Sequence, residues 1–307
     1  MSKTKSLMKL SSIVVILSFI LFSINTNAQT FGVRAGLNYS TFLGPTENTA
    51  AVGGERAVNE RYTLSSGFHF GFSYAYDFTD LFSIRAELVY IQNGANHKYD
   101  GDSYYIIREV QDQPIVIEEG FLTDYNLKIS NAYLSFPVVA NYRVNKKWEI
   151  FGGPYFNILV GPTGRGSLIF ESYDNPSTIV FRQSLDFSYN SLDRDEIIGF
   201  SASTIDQIFI GVNGETVALQ RFQGAYSRQG ERNGNQFNGI DFGLTGGVHY
   251  FLNKGFFVGF QIDYGLFDLT NNDVDFSLKD LNEDRSFIFS NDKDSHLGIH
   301  ASFGFRF

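Results

Sequence analysis

The sequence predicts an all-β fold: one antiparallel up-and-down transmembrane β-barrel, of eight strands, or of ten if a further hairpin enters the wall. Three observations predict it. In the last ten residues Ile299, Ala301, Phe303, Phe305 and Phe307 alternate with Gly298, His300, Ser302, Gly304 and Arg306, giving one apolar and one small or polar face at the period of a strand. The same alternation recurs upstream, in segments separated by connections that are alternately tight and long. Aromatic residues gather beside the tight connections.

Taken in order, the chain opens with Lys3, Lys5 and Lys9 ahead of an apolar stretch over Leu10–Ile24, shorter than the ~20 residues a membrane-spanning helix needs. Thr26-Asn27-Ala28 follows, with small residues placed as at an export-signal cleavage site. Residues 1–28 are expected to be a signal peptide cut between Ala28 and Gln29, leaving a barrel domain over 29–307. Losing three lysines from a stretch without acids takes the net charge from −9 to −12. An acidic chain without a Lys/Arg cluster repels phosphate backbones, so nucleic acid is not an expected partner. With no cysteine, disulfides and thiolate metal sites are excluded.

The first strand alternates Phe31, Val33, Ala35, Leu37 and Tyr39 with Gly32, Arg34, Gly36 and Asn38. The second carries Phe68, Phe70, Phe72, Tyr74 and Tyr76. After a tight turn at Thr79-Asp80 the third carries Phe82, Ile84, Ala86, Leu88 and Tyr90. Leu134, Phe136, Val138, Ala140 and Tyr142 form the fourth, and Trp148, Ile150, Phe156 and Ile158 the fifth, beyond a turn at Asn145-Lys146. Ile240, Phe242, Leu244, Val248 and Tyr250 form the sixth. A turn at Asn253-Lys254-Gly255 leads to the seventh, with Phe256, Val258, Phe260, Ile262, Tyr264 and Leu266. The C-terminal segment is the eighth.

Tight turns near 78–81, 144–147 and 252–255 alternate with long connections near 43–63, 97–125, 161–239 and 269–295. Outer-membrane barrels have this asymmetry, with short periplasmic turns and long extracellular loops. The 161–239 connection is too long for bare loop, and its alternation over Ile179–Phe187, with Ser167–Tyr173 as partner, predicts an extracellular hairpin outside the eight-stranded wall. Tyr76, Phe78, Phe82, Tyr142, Trp148, Tyr250 and Phe256 lie next to tight turns, with Phe305 and Phe307 at the same end. They are expected to form a periplasmic aromatic girdle at headgroup depth.

At these residues the chain resembles the porin-like, PorT-type outer-membrane β-barrel family common in the Bacteroidota. The likeness rests on Gly32–Asn38, Gly67–Ala75, Ser83–Gly94 with its Arg-Ala-Glu-Leu-Val-Tyr core, Tyr133–Tyr142 with Pro137, Gly152–Tyr155, Asp241–Gly247 and the strand ending at Phe307. It implies a Gram-negative outer-membrane location, lipid contact, and Ile299, Ala301, Phe303, Phe305 and Phe307 as the C-terminal signal read by the barrel-assembly machinery. An envelope or secretion protein is the kind of partner it implies.

By parity Arg34, Arg85, Glu87, Glu149, Asp241, His249, Asp263, His300 and Arg306 point inward, and an eight-stranded barrel has room for side chains and little else. They are expected to pair as a lumen charge network, with Arg34 and Arg306 sharing the acids. His300 and Ser302 face that lumen, where an acyl chain does not reach, so no catalytic site is expected. The five histidines lack metal-ligand spacing. Acidic runs at Asp273–Asp275, Asp280–Asp284 and Asp292–Asp294 offer oxygen ligands without the Gly and Glu placing of a dedicated Ca²⁺ loop, and are read as a solvated acidic face. No metal or cofactor is expected. The functional expectation is a non-catalytic barrel with a plugged lumen, acting through its loops as a binding, scaffold or envelope-accessory component. A small-solute channel and a lipid- or peptide-cleaving barrel are the alternatives.

Overall fold

The computed structural model describes residues 29–52, 57–107, 115–173, 179–186, 207–212, 214–225 and 235–307. The expected signal peptide, up to Ala28, lies outside them. Numbered in chain order, eight strands form the wall: β1 (Gln29–Leu43), β3 (Val58–Asp77), β4 (Phe82–Asn93), β6 (Ile115–Arg143), β7 (Trp148–Ser172), β12 (Ile240–Phe251), β13 (Phe256–Gly265) and β16 (Ser295–Arg306). Each pairs antiparallel with the next, and β16 returns to β1 in register from Gly32↔Arg306 to Leu43↔Ser295. The ring is therefore closed, which removes every free edge from the wall. The last residue takes part: Phe307 N–H donates to Phe31 O at 2.9 Å, and Phe31 N–H to Phe307 O at 3.2 Å.

Period-2 alternation decides what each face carries. On β16 Phe303 and Phe305 are exposed on the outer face, while His300, Ser302, Gly304 and Arg306 are buried. Phe68, Phe70 and Phe72 on β3, Phe136 and Val138 on β6, and Phe260 and Ile262 on β13 continue the outer apolar band. At its tight-turn end Tyr76, Phe78, Phe82, Tyr142 and Trp148 are exposed. Tyr250 and Phe256 are half-buried because they pack on Trp148 and Phe303, at ring-centroid distances of 4.9 and 6.3 Å.

The other eight strands are β2 (Asn48–Thr49), β5 (Ala95–Ile107), β8 (Val180–Asp186), β9 (Gln207–Val212), β10 (Glu215–Gln220), β11 (Phe222–Gly224), β14 (Phe276–Leu281) and β15 (Phe287–Phe289). They build upward from the long-connection end. Three stretches expected as loop are instead strand. β3 already begins at Val58, and β5 with the first half of β6 makes a hairpin where the 97–125 loop was expected. In the 269–295 connection, β14 pairs with β15. Hydrogen bonding explains these differences: strands that leave the membrane in register continue to satisfy each other's backbone groups. β8 pairs with β7 alone among the wall strands, Gly166↔Leu185 through Glu171↔Val180, so this hairpin stays outside the ring and the wall has eight strands. Of that expected segment, Phe187 lies outside the described residues.

Along β6 the polarity of the two faces inverts. Between Ala132 and Tyr142 the outward positions are apolar, while Ser135 and Asn141 are buried inside. Below residue 130 the outward positions are Asn126 and Lys128, both exposed, and the inward ones are the buried Tyr125, Leu127 and Ile129. A strand in lipid wants apolar groups outside, and a strand in water wants them inside. The inversion marks where the wall leaves the bilayer. Above it the tall β3–β5–β6–β7–β8 side encloses a hydrophobic core that includes Phe42, Tyr105, Leu122, Leu168, Phe170 and Leu278. β14 is tied to this side by Tyr104 Oη donating to Ser277 O at 2.9 Å and Ser103 Oγ to Leu278 O at 2.6 Å.

Candidate functional site

Two polar assemblies occupy the axis of the molecule, one inside the membrane-embedded wall and one above it. The first begins at the tight-turn end. Glu149 has no exposed surface, and Arg306 donates to both of its oxygens: Nη1 to Oε2 at 2.7 Å and Nη2 to Oε1 at 2.5 Å. Arg85 Nη1 donates to Glu149 Oε1 at 3.1 Å and Arg85 Nε to Glu87 Oε1 at 2.6 Å. Arg34 then closes on Glu87, Nη2 to Oε2 at 2.7 Å. A continuous Arg306–Glu149–Arg85–Glu87–Arg34 chain thus links β16, β7, β4 and β1. Arg34 fits because its register partners on both sides are glycines, Gly71 and Gly304. Buried charges persist in this way only when paired and hydrogen-bonded.

Sequence parity did not identify every member of the assembly. Arg34 Nη1 donates to Gln261 Oε1 at 2.8 Å, Gln261 Nε2 donates to Asp263 Oδ1 at 2.8 Å, and His300 Nε2 lies 3.0 Å from Asp263 Oδ2. His249 Nδ1 is 3.3 Å from Glu149 Oε1. Phe151, Phe251 and Phe257 point inward, with the Arg85 guanidinium 4.6 Å from the Phe151 ring centre and that of Arg306 5.0 Å from Phe251, so cation–π contact supplements the ion pairs. One expectation is corrected. Asp263 and Asp241 do not share Arg34 or Arg306: Asp263 meets His300 and Gln261, and Asp241 accepts from Asn157 Nδ2 at 2.9 Å. Both lie further along the lumen than the guanidinium groups reach. No hydrogen bond joins Ser302 to His300 among the described residues, and both side chains are buried. A vestibule of about 450 Å³ at the tight-turn end is lined by Arg143, Glu149, Phe251 and Arg306.

The second assembly is a cavity of about 220 Å³ at the long-connection end, lined by Phe42, Glu47, Glu60, Tyr62, His97, Tyr125, Phe237, Asp275, Asp292 and Asp294 among others. Tyr62 and His97 are register partners on β3 and β5, and their rings stack at 4.5 Å. His97 Nε2 is 2.6 Å from Glu60 Oε1. Burial acts to raise the Glu60 pKa, but the His97 hydrogen bond and charge outweigh it and hold the carboxyl below its ordinary value.

The acidic face expected of the loops divides in two. Asp273, Asp280 and Asp284 are exposed. Asp275, Asp292 and Asp294 instead converge, with one oxygen from each lying within 4.8 Å of the others, and Asp294 is only 2% exposed. Backbone bonds bring them together: Ser290 N–H donates to Asp275 O and Leu269 N–H to Asp294 O, each at 2.9 Å. Burial first, then the Asp294 and Asp292 carboxylates, push the Asp275 carboxyl up to about 8. Burial and Asp292 likewise push Asp294 up to about 6. Asp292 and Asp294 lie two positions apart, but 17 and 19 positions separate Asp275 from them and carry no spacing signal, so only the folded loop reveals the group.

Residues 27–271 match the family described as outer membrane protein beta-barrel domain. A search of curated proteins found no match. Among solved structures, the chain is similar to Ail, the attachment invasion locus protein of Yersinia pestis, at 10% identity and TM-score 0.31, covering 92% of this chain and 100% of that one. It is similar to the outer membrane protein OprG from Pseudomonas aeruginosa at 13% identity and TM-score 0.28, covering 91% and 96%. It is similar also to the outer membrane protease OmpT from Escherichia coli at 10% identity and TM-score 0.29, covering 93% and 99%.

Proposed function

The chain belongs to the outer membrane protein beta-barrel domain family, and from that premise we propose that it is a non-catalytic, plugged barrel that acts through its extracellular loops as a binding or scaffold component of the envelope. Its place is the outer membrane of a Gram-negative cell, with the apolar band against lipid. The observation that carries the reading is the charge chain from Arg306 to Arg34, which crosses the lumen from β16 to β1, while a cavity walled by the long connections lies beyond it. An interior filled by paired side chains leaves no continuous water column for solute. Recognition then falls to the end where the strands rise above the bilayer and the connections are long.

The PorT-type resemblance, carried by Gly32–Asn38, Ser83–Gly94 and the other segments quoted above, supports a partner in the envelope or a secretion system. The Ala28–Gln29 cleavage and reading of the Phe307 strand by the barrel-assembly machinery belong to the same proposal, as does the assignment of 161–239 as an extracellular insertion. A photo-crosslinking residue placed at Phe209 on β9 or Ile288 on β15, both exposed, should give the same discrete protein adduct in intact cells. Placed at Lys146 in a tight turn, it should not. Adducts confined to Lys146, or none from the loop positions, would contradict the reading.

A further inference from the structure

The loop that carries Asp275, Asp292 and Asp294 is built in a way that the recognition role of the barrel does not call for. The turn over Asn271–Asp275 is closed by Val274 and Asp275 N–H donating to Asn271 O, at 2.9 and 3.0 Å. It is fastened to the other arm by Asn272 Nδ2 donating to Asp292 O at 3.1 Å. Asp268 fixes the start of β16 by accepting from Asp294 N–H at 3.0 Å. These bonds use backbone groups, the Asn272 amide and the Asp268 carboxylate, and leave one oxygen of each of the three carboxylates within 4.8 Å of the others.

Two of the three have an oxygen sealed from solvent with no partner. Asp294 Oδ2 accepts from the Thr270 hydroxyl at 3.1 Å, yet Asp294 Oδ1, on a residue 2% exposed, receives nothing, and neither does Asp292 Oδ1. No described lysine or arginine forms an ion pair with any of the three. The titratable groups that face them across the cavity are Glu47, Glu60, His97, Tyr62 and Tyr125, with Asp268 beside them, and His97 is engaged by Glu60. An anionic oxygen with no donor costs several times what an ordinary hydrogen bond contributes. A group of them in one pocket calls for a cation.

We propose that Asp275, Asp292 and Asp294 bind a Ca²⁺ ion that clamps the 266–294 connection over the mouth of the barrel. Ca²⁺ holds oxygens at about 2.3–2.6 Å, so two ligands of one ion lie up to about 5 Å apart, and three oxygens all within 4.8 Å of one another can share one such ion. Mg²⁺ demands near-ideal octahedral geometry and gives up water reluctantly, which three carboxylates on a loop serve less well. The remaining coordination falls to water. Three carboxylates on a surface loop correspond to the affinity of extracellular Ca²⁺ modules, on the order of 10⁻⁴–10⁻³ M. The inference stands whether or not the loops recognise a protein partner.

The test uses the full mature chain folded in detergent free of lipopolysaccharide, with Tb³⁺ as the probe, because Tyr62 and Tyr125 line the same cavity and can sensitise its emission. The expected result is saturable emission, displaced by Ca²⁺ at millimolar concentration or below and by Mg²⁺ only at much higher concentration. Asp275→Asn and Asp294→Asn should each weaken it about tenfold or more, while Asp280→Asn, at an exposed acid outside the cluster, should not. Should Asp294→Asn fail to give the heat-modifiable folded form, Asp275→Asn and Asp292→Asn decide. Absence of saturable emission, equal binding by all variants, or equal displacement by Mg²⁺ and Ca²⁺ would overturn the proposal.

Discussion

Glu149 concentrates the residue-scale physics of this protein. Its carboxylate has no exposed surface and receives Arg306 through both oxygens, with Arg85 sharing one of them. Removing it takes from Arg306 its carboxylate partner and from Arg85 one of its two. Breaking a buried pair typically costs about 3–5 kcal/mol, so Glu149→Ala should lower the urea midpoint of the detergent-folded barrel by an amount in that range. The double variant Glu149→Ala with Arg306→Ala should cost less than the sum of the singles, because the second change removes a charge the first left unpaired. Additive losses would show that the two groups do not depend on each other.

At the scale of the element, β16 does more than fill one place in the ring. It pairs with β13 on one side and β1 on the other, and its outward Phe303, Phe305 and Phe307 complete the lipid face. Replacing Phe307 with Asp places a charge at the membrane boundary, on a residue whose backbone bonds hold β1. Barrel-face charges cost most near the midplane and about 0–1 kcal/mol near the interface, so folded-state stability should change little. The expected outcome is instead a loss of assembly in cells, read as reduced heat-modifiable protein in outer membranes, with near-normal folding of the same variant in detergent. Wild-type levels in the outer membrane would remove the terminal strand from the role of assembly signal.

For the whole molecule, the consequence is electrical. A ring of eight strands whose interior is crossed by five linked charges should pass no steady current in a planar bilayer beyond rare, small events. A stable ohmic conductance of porin size in the wild type would exclude the plugged reading and favour a solute channel. The molecule is also lopsided: β6 has 29 residues and β7 has 25, against 10 for β13 and 12 for β16. The tall side carries its own apolar core into the aqueous phase, so the described strands above the bilayer pack as a folded structure.

What the sequence determined by itself is whatever depends on neighbours one or two residues apart. Alternation at Phe303-Gly304-Phe305-Arg306 and at Phe68-His69-Phe70 shows which side of each strand meets lipid, and the tight turns show which strands are adjacent. The wall, its closure and its aromatic rim follow from those local rules. The upper strands were legible in principle, since Tyr125, Leu127 and Ile129 alternate with Asn126 and Lys128, but the pattern there is the inverse of a lipid-facing one and reads as loop when only lipid-facing strands are sought. Only the tertiary structure decided which charges meet. Parity places Arg34, Asp241 and Asp263 in one lumen, but the stagger of strands around a closed ring sets their heights along the axis, and so gives Glu87 to Arg34 and leaves Asp263 to His300. The convergence of Asp275 with Asp292 and Asp294 was likewise decided by folding, because several of the bonds that draw the two arms together, Ser290 N–H to Asp275 O among them, are made by backbone groups, which every residue carries and no sequence pattern distinguishes.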